Sequence, residues 1–247
     1  MTLKIREIYS PNFDPKPRKN KNIRFLIFHY TGMKKEKEAI QRLTKVQSEV
    51  AAHYFIKRNG EIIRMVPDLY KAWHAGISHW GKYSFLNKYS IGIEVSNPGH
   101  QFGYIHFSKK QIKSLIKLTR VLVKKYRIKK NHILGHSDIA PNRKKDPGEK
   151  FPWKILYKNK IGLWHNLNNK TLISLRGKPV SFKELTLFMK NLIKFGYPYK
   201  SIIMKNKLKN NKIFIKAFQR RFRPELINGN IDKECLLIMN KLVSIKV

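Results

Sequence analysis

Five side chains are of types that can do chemistry together: His29, Glu94, His136, Lys144 and Asp146. His29 closes an apolar, aromatic run, and His136 follows a second apolar run. Asp146 comes ten residues later, in a polar stretch with little room for a hydrophobic role. Two imidazoles and one carboxylate, with a coordination place left for water, make a typical catalytic zinc set. Spacing alone does not single them out. His53, His74, His79, His100, His106, His132 and His165 offer other triads, and a histidine beside a strand is more often a core residue. Glu94 lies in an otherwise apolar run, where a carboxylate either does acid–base work or pairs with a lysine. Lys144 sits between Arg143 and Lys145, a pattern that usually marks a solvated charge cluster. Lys144 and Asp146 are two residues apart, so an extended segment points both the same way.

The elements that must hold these groups can be read from pattern. Residues 23–30 form a short apolar run suited to a buried strand, and residues 34–48 an amphipathic helix. The runs 53–58 and 61–66 flank Asn59-Gly60, a strong hairpin signal. Ser90–Ser96 is another strand. Ser108 caps a helix over 109–127 with Ile112, Leu115, Ile116, Leu118, Thr119 and Leu122 inward. Asn131–Leu134 is a short strand, and residues 137–153, rich in Pro, Asn, Asp and Lys, are a loop. The fold class expected is α/β: a mixed central sheet flanked by helices, followed by a small three-helix C-terminal domain. Its helices are Ser181–Phe195, with a Ser181/Glu184 capping box and Gly196 as the stop, then Asn211–Phe222 and Asp232–Leu242. The expected division is an N-terminal extension (1–21), a catalytic domain (22–165), a linker (166–180) and the helical domain (181–247).

Composition narrows the classes. The chain has 247 residues, a net charge of +38 and 42% hydrophobic residues, enough apolar matter for a core. The single cysteine, Cys235, excludes an internal disulfide and zinc sites built on two or more cysteines. No stretch reaches the roughly 18 apolar residues that span a bilayer, so no integral membrane protein is expected. Residues 1–24 are polar and basic, and the run Phe25–Phe28 is too short for the apolar region of a signal peptide; as written, the chain is expected to start in the cytoplasm, with the cell envelope left open. The positive charge is spread along the chain. It fits a compositionally biased genome as well as attraction to nucleic acid, an anionic membrane or an acidic wall polymer. Forty lysines against thirteen arginines do not favour base reading, and no nucleic-acid partner is expected.

An ordered set of motifs then gives a resemblance. Phe28-His29-Tyr30-Thr31-Gly32, Ala52-His53-Tyr54-Phe55-Ile56, Ala72-Trp73-His74-Ala75-Gly76 and Ser90-Ile91-Gly92-Ile93-Glu94 come first. Gly135-His136-Ser137-Asp138-Ile139-Ala140-Pro141, Arg143-Lys144-Lys145-Asp146-Pro147-Gly148 and Phe151-Pro152-Trp153 follow. The chain resembles the zinc-dependent N-acetylmuramoyl-L-alanine amidases of the peptidoglycan-recognition-like superfamily, in particular their AmiD branch, over about residues 22–165. The segment around Ala217–Pro224 and Asn228–Asp232 looks like the helical peptidoglycan-binding module often joined to that branch. The resemblance implies His29, His136 and Asp146 as ligands of one Zn2+ per chain, Glu94 as the catalytic carboxylate and Lys144 as the basic residue beside it. It implies peptidoglycan or a muropeptide as substrate, cleaved between the muramic acid lactyl group and L-alanine. His53, Trp73, His74 and Asn97 are the candidates for substrate contact. The competing class is a non-catalytic peptidoglycan recognition protein of the same fold; such a protein is expected to have lost metal ligands, and all three are present here. In the tail, Phe218, Phe222, Leu226 and Ile231 read as bundle core. Arg220, Arg221 and Arg223 either meet stem-peptide carboxylates or are solvated.

Overall fold

The structure is a computed structural model, described over residues 3–197 and 211–245. The ends of the expected N-terminal extension (1–2) and helical domain (246–247), and its residues 198–210, lie outside the described residues. Ten strands are present among the described residues. They are β1 (Ile5–Glu7), β2 (Phe13–Asp14), β3 (Phe25–Tyr30), β4 (Tyr54–Ile56), β5 (Ile62–Arg64), β6 (Lys71–Ala72), β7 (His79–Trp80), β8 (Tyr83–Ser84), β9 (Ser90–Val95) and β10 (Ile133–Gly135). Six of them make one sheet in the order β1-β5-β4-β9-β3-β10. Only β4 and β5 pair antiparallel; the other four pairings are parallel.

That topology follows from local chemistry. β4 and β5 are joined by the short turn at Asn59-Gly60, where Gly60 takes φ +86° and the Asn59 side chain accepts from Glu61 N. β3 and β9 are central and covered on both faces, which is why they read as nearly unbroken apolar runs.

Helix α1 (Glu36–Thr44) and helix α2 (Lys109–Tyr126) flank the sheet. α2 begins with a full capping box: Gln111 N donates to Ser108 Oγ and Ser108 N to Gln111 Oε1. Its buried face is Gln111, Leu115, Leu118, Thr119, Leu122 and Tyr126. Ile112 and Ile116, expected inside, are half-exposed, because Gln111 turns inward to donate to Ser96 O at the end of β9. The expected loop at 137–153 starts as one helical turn, α3 (His136–Ile139), and ends at α4 (Trp153–Lys158).

The segment expected as linker holds a helix, α5 (Asn169–Leu175), capped by the Asn168 side chain. The expected extension contributes β1 to the main sheet and β2 to a two-stranded pair with β6. The last helices are α6 (Phe182–Phe195), α7 (Asn211–Phe222) and α8 (Lys233–Ile245). Phe188, Phe218, Phe222, Ile238 and Leu242 form their core, with Leu226 and Ile231 half-buried. This core is continuous with that of the sheet. Trp80 of β7 packs edge-on against Phe195 and Tyr197, and Trp164 packs against Phe222. Among the described residues, no helix is long and apolar enough to cross a membrane.

Candidate active site

The parallel register brings the chemistry to one end of the sheet. His29 on β3 is paired directly with Glu94 on β9, and Phe28 with Gly135 on β10, so His136 emerges level with His29. In open α/β sheets this carboxyl end is where ligands bind. Asp146 reaches the same place because its loop folds back: Asp146 O accepts from Ser137 N at 2.8 Å.

His29 Nδ1, His136 Nδ1 and one Asp146 oxygen close a triangle. The nitrogens are 2.9 Å apart, and each is 3.0 Å from Asp146 Oδ2. All three residues are buried. Burial, with His136 beside it, pushes the His29 imidazole down to about 4, so it is neutral at physiological pH. Burial works to raise the Asp146 carboxyl, but His136 and His29 outweigh it and hold the group below the usual carboxylate range. Two imidazole nitrogens and a carboxylate oxygen, this close together, form a cluster that can hold a metal ion.

The outer nitrogens are fixed by a chain of hydrogen bonds. Ser90 Oγ donates to Leu86 O at 2.7 Å, so it accepts from His74 Nε2 at 3.0 Å. His74 Nδ1 is then an acceptor, and His29 Nε2, 3.0 Å away, donates to it. The lone pair of His29 Nδ1 is thereby left facing the cluster. His136 Nε2 likewise donates to Ala75 O, at 3.2 Å, which frees its Nδ1. Such partners set both the tautomer and the ring orientation of a metal-binding histidine. Gly92 makes room for this chain, since a Cβ there would lie 2.4 Å from the His74 ring. Ser90, Gly92 and Glu94 alternate along β9 on the face that carries the site.

A cleft of about 600 Å³ opens over the cluster, lined by His29, His74, Glu94, His136, Lys144 and Asp146. Glu94 Oε2 is buried there without a hydrogen-bond partner. Burial, aided by the Asp146 charge and opposed by Lys144, pushes the Glu94 carboxyl up to about 8. Arg42, Arg143 and Lys145 add positive charge to the lining.

Of the residues expected to touch substrate, only His74 lines the cleft, and both of its ring nitrogens are engaged. His53 is fully buried, accepting from Gly92 N and donating to Tyr70 O. Trp73 donates to Asp14, and Asn97 braces a turn by bonding Gly99 N and Ile105 O. The polar atoms of these three are engaged inside the fold, and none of the three lines the cleft. The tail arginines are not solvated. Arg220 faces Glu149, Arg221 is bonded to Asp138, and Arg223 lies beside Asp232 and Cys235. Pattern reading missed Ser90, Gly92, Asp138 and Arg221. For the first two a signal existed: small residues alternating with Glu94 on one strand face.

Fold and cleft together define a hydrolase built on a mixed α/β sheet, with a two-histidine, one-carboxylate cluster beside a proton-seeking glutamate. Known sequences narrow the class: the pattern of the N-acetylmuramoyl-L-alanine amidases matches residues 19–149, and the chain belongs to that family. Its enzymes hydrolyse the amide between N-acetylmuramic acid and L-alanine. AmiD of Escherichia coli K12 is 33% identical over 233 residues, covering 90% of this chain and 82% of the relative. A solved complex of E. coli AmiD with the substrate anhydro-N-acetylmuramic acid-L-Ala-D-gamma-Glu-L-Lys matches with a TM-score of 0.77 at 32% identity, over 94% of this chain and 91% of AmiD. AmpDh3 of Pseudomonas aeruginosa, solved with anhydromuramic pentapeptide, gives 0.74 at 29% identity, over 92% of each chain. The 1,6-anhydro-N-acetylmuramyl-L-alanine amidase AmpD of Haemophilus influenzae is 35% identical over 167 residues, 60% of this chain and 88% of the relative.

Proposed function

We propose that the chain is a zinc amidase acting on muropeptides, with His29, His136 and Asp146 as the metal ligands, Glu94 as the proton carrier and Lys144 as the cation facing the reacting carbonyl. The observation that carries this is the convergence of three buried donor atoms, 2.9–3.0 Å apart, next to an unpartnered oxygen of Glu94. Imidazole nitrogen with one carboxylate oxygen suits Zn2+; an all-oxygen set would suit Mg2+ or Ca2+. Bound there, Zn2+ supplies Lewis acidity and lowers the pKa of a water toward ~7.

The protein's own groups do the rest. Glu94, with its raised proton affinity, takes a proton from the attacking water and returns it to the departing amine of L-alanine. Lys144 lines the cleft and stabilises the charge that develops on the carbonyl oxygen. The arginines and lysines around the cleft favour a substrate whose stem peptide carries carboxylates. The peptides bound in the AmiD and AmpDh3 structures support acceptance of the 1,6-anhydro sugar. A purely recognising protein of the same fold would have no use for a glutamate with a buried, unpartnered oxygen at this place.

The test is mass spectrometry of defined muropeptides, with and without the anhydro ring, after incubation with the zinc-loaded protein. Separation of sugar from stem peptide, lost with chelator and restored by zinc, is the expected result. Glu94→Ala should lower kcat by about 10²–10⁴-fold while retaining the metal, and His29→Ala should lose the metal. Full turnover by either variant overturns the assignment.

A further inference from the structure

The C-terminal helices reach the turn that carries His136 through one buried aspartate. Asp138 stands two residues after His136, within α3. Its Oδ2 accepts from Gly135 N at 2.8 Å and from Arg221 Nη1 at 2.6 Å, and its Oδ1 from the Tyr197 hydroxyl at 2.8 Å. Arg221 belongs to α7, and Tyr197 follows α6. The Arg221 Nη2 donates to Ile133 O at 2.9 Å, on the strand that leads into His136. One guanidinium therefore grips both β10 and the turn after it. Its plane lies over Trp153, 4.4 Å from the ring, which fixes the remaining freedom of the side chain.

The ion pair is sealed, with Asp138 1% and Arg221 2% exposed. Two charges taken out of water are held only while both stay in register, so the pair ties the turn to α7 more strictly than apolar packing does. The neighbouring Arg220 faces Glu149 at 4.0 Å, and Glu149 is three residues beyond Asp146. Consecutive arginines of one helix thus address both loop segments that carry a ligand, one to each.

We infer that the helical C-terminal part is a scaffold of the metal site, with Arg221 and Tyr197 as positioning residues that act on His136 through Asp138. The inference rests on the reading of His29, His136 and Asp146 as metal ligands. It assigns the helical part a task distinct from binding glycan: holding one ligand where the other two can share an ion with it.

The full-length protein tests this by its Zn2+ dissociation constant, measured in competition with a chromophoric chelator, and by the d–d absorption of its Co2+ form. Thermal unfolding is followed alongside. Arg221→Met should weaken zinc binding by about 10–100-fold, the range seen when a partner of a metal-binding histidine is lost. Tyr197→Phe, which deletes one hydroxyl, should weaken it less and alter the Co2+ spectrum. Phe188→Leu loosens the helical core without touching Asp138, so it should lower Tm and leave zinc affinity within about twofold of the parent. Parental affinity and spectrum in Tyr197→Phe and Arg221→Met would overturn the inference. So would a loss of affinity in Phe188→Leu as large as theirs, which would make the role merely structural. If Arg221→Met does not fold, Tyr197→Phe decides. A parent that binds no zinc would instead sink the metal reading itself.

Discussion

Ser90, Gly92 and Glu94 take alternate places on β9, and each does a different job for one site. Ser90 accepts a hydrogen bond from His74, Gly92 leaves space for the His74 ring, and Glu94 offers an unpaired oxygen to the cleft. Gly92→Ala would put a methyl 2.4 Å from that ring, with no exposed side to yield to. The expected cost is about 1–3 kcal/mol of stability, as for other overpacked cores, together with weaker metal binding as His74 is pushed against His29. Denaturant unfolding and metal titration of the variant check both. The pattern pointed to Glu94 because a carboxylate in an apolar run is conspicuous. It passed over Ser90 and Gly92 because small residues in a strand have many uses.

At the scale of elements, the long periodic segments were legible and the short ones were not. β3, β9, the Asn59-Gly60 hairpin, α2 and the capped α6 all appear where period and caps place them, within a residue or two. β2 and β6, and β7 and β8, are strands of two residues, too short for any period to show. α5 was hidden because it is only seven residues long and buries only Leu172, with Ile173 left exposed. The register of α2 depends on its cap, where Ser108 also donates to Arg58 O at the edge of the hairpin. Ser108→Ala should cost about 1 kcal/mol. It should show as a lower midpoint in urea at unchanged slope, with activity retained, since α2 lies outside the cleft.

Across the whole molecule, several histidines are buried neutral. Burial, with Arg18 nearby, pushes His53 down to about 3, and burial pushes His165 down to about 4. In the unfolded chain both titrate near the usual 6.5, so below that pH the unfolded state takes up protons that the folded state refuses. Stability should therefore be level above about 6.5 and fall as the pH drops from there toward 4. Denaturant midpoints measured across that range check the slope, and His53→Gln should make it shallower. The same burial accounts for the arginines of the tail. The sequence left Arg221 and Arg223 either to stem-peptide carboxylates or to solvent, yet both are inside, paired with Asp138 and with Asp232. Composition cannot separate the lysines that coat the surface from the few arginines that join two parts of the core.

The sequence by itself determined the strands, the hairpin and the capped helices, because those depend on residues a few places apart. It also held, in order, the motifs that mark the amidase family. Only the tertiary structure decided which of nine histidines meet. His29 lies 107 residues from His136 and 117 from Asp146, and no local pattern spans such a distance. Parallel pairing of β3 with β10 brings His29 and His136 level, the folded-back loop brings Asp146, and the bonds through His74, Ser90 and Ala75 turn the right nitrogens inward. Convergence of this kind comes from strand register and burial, which are set by the packing of the whole chain.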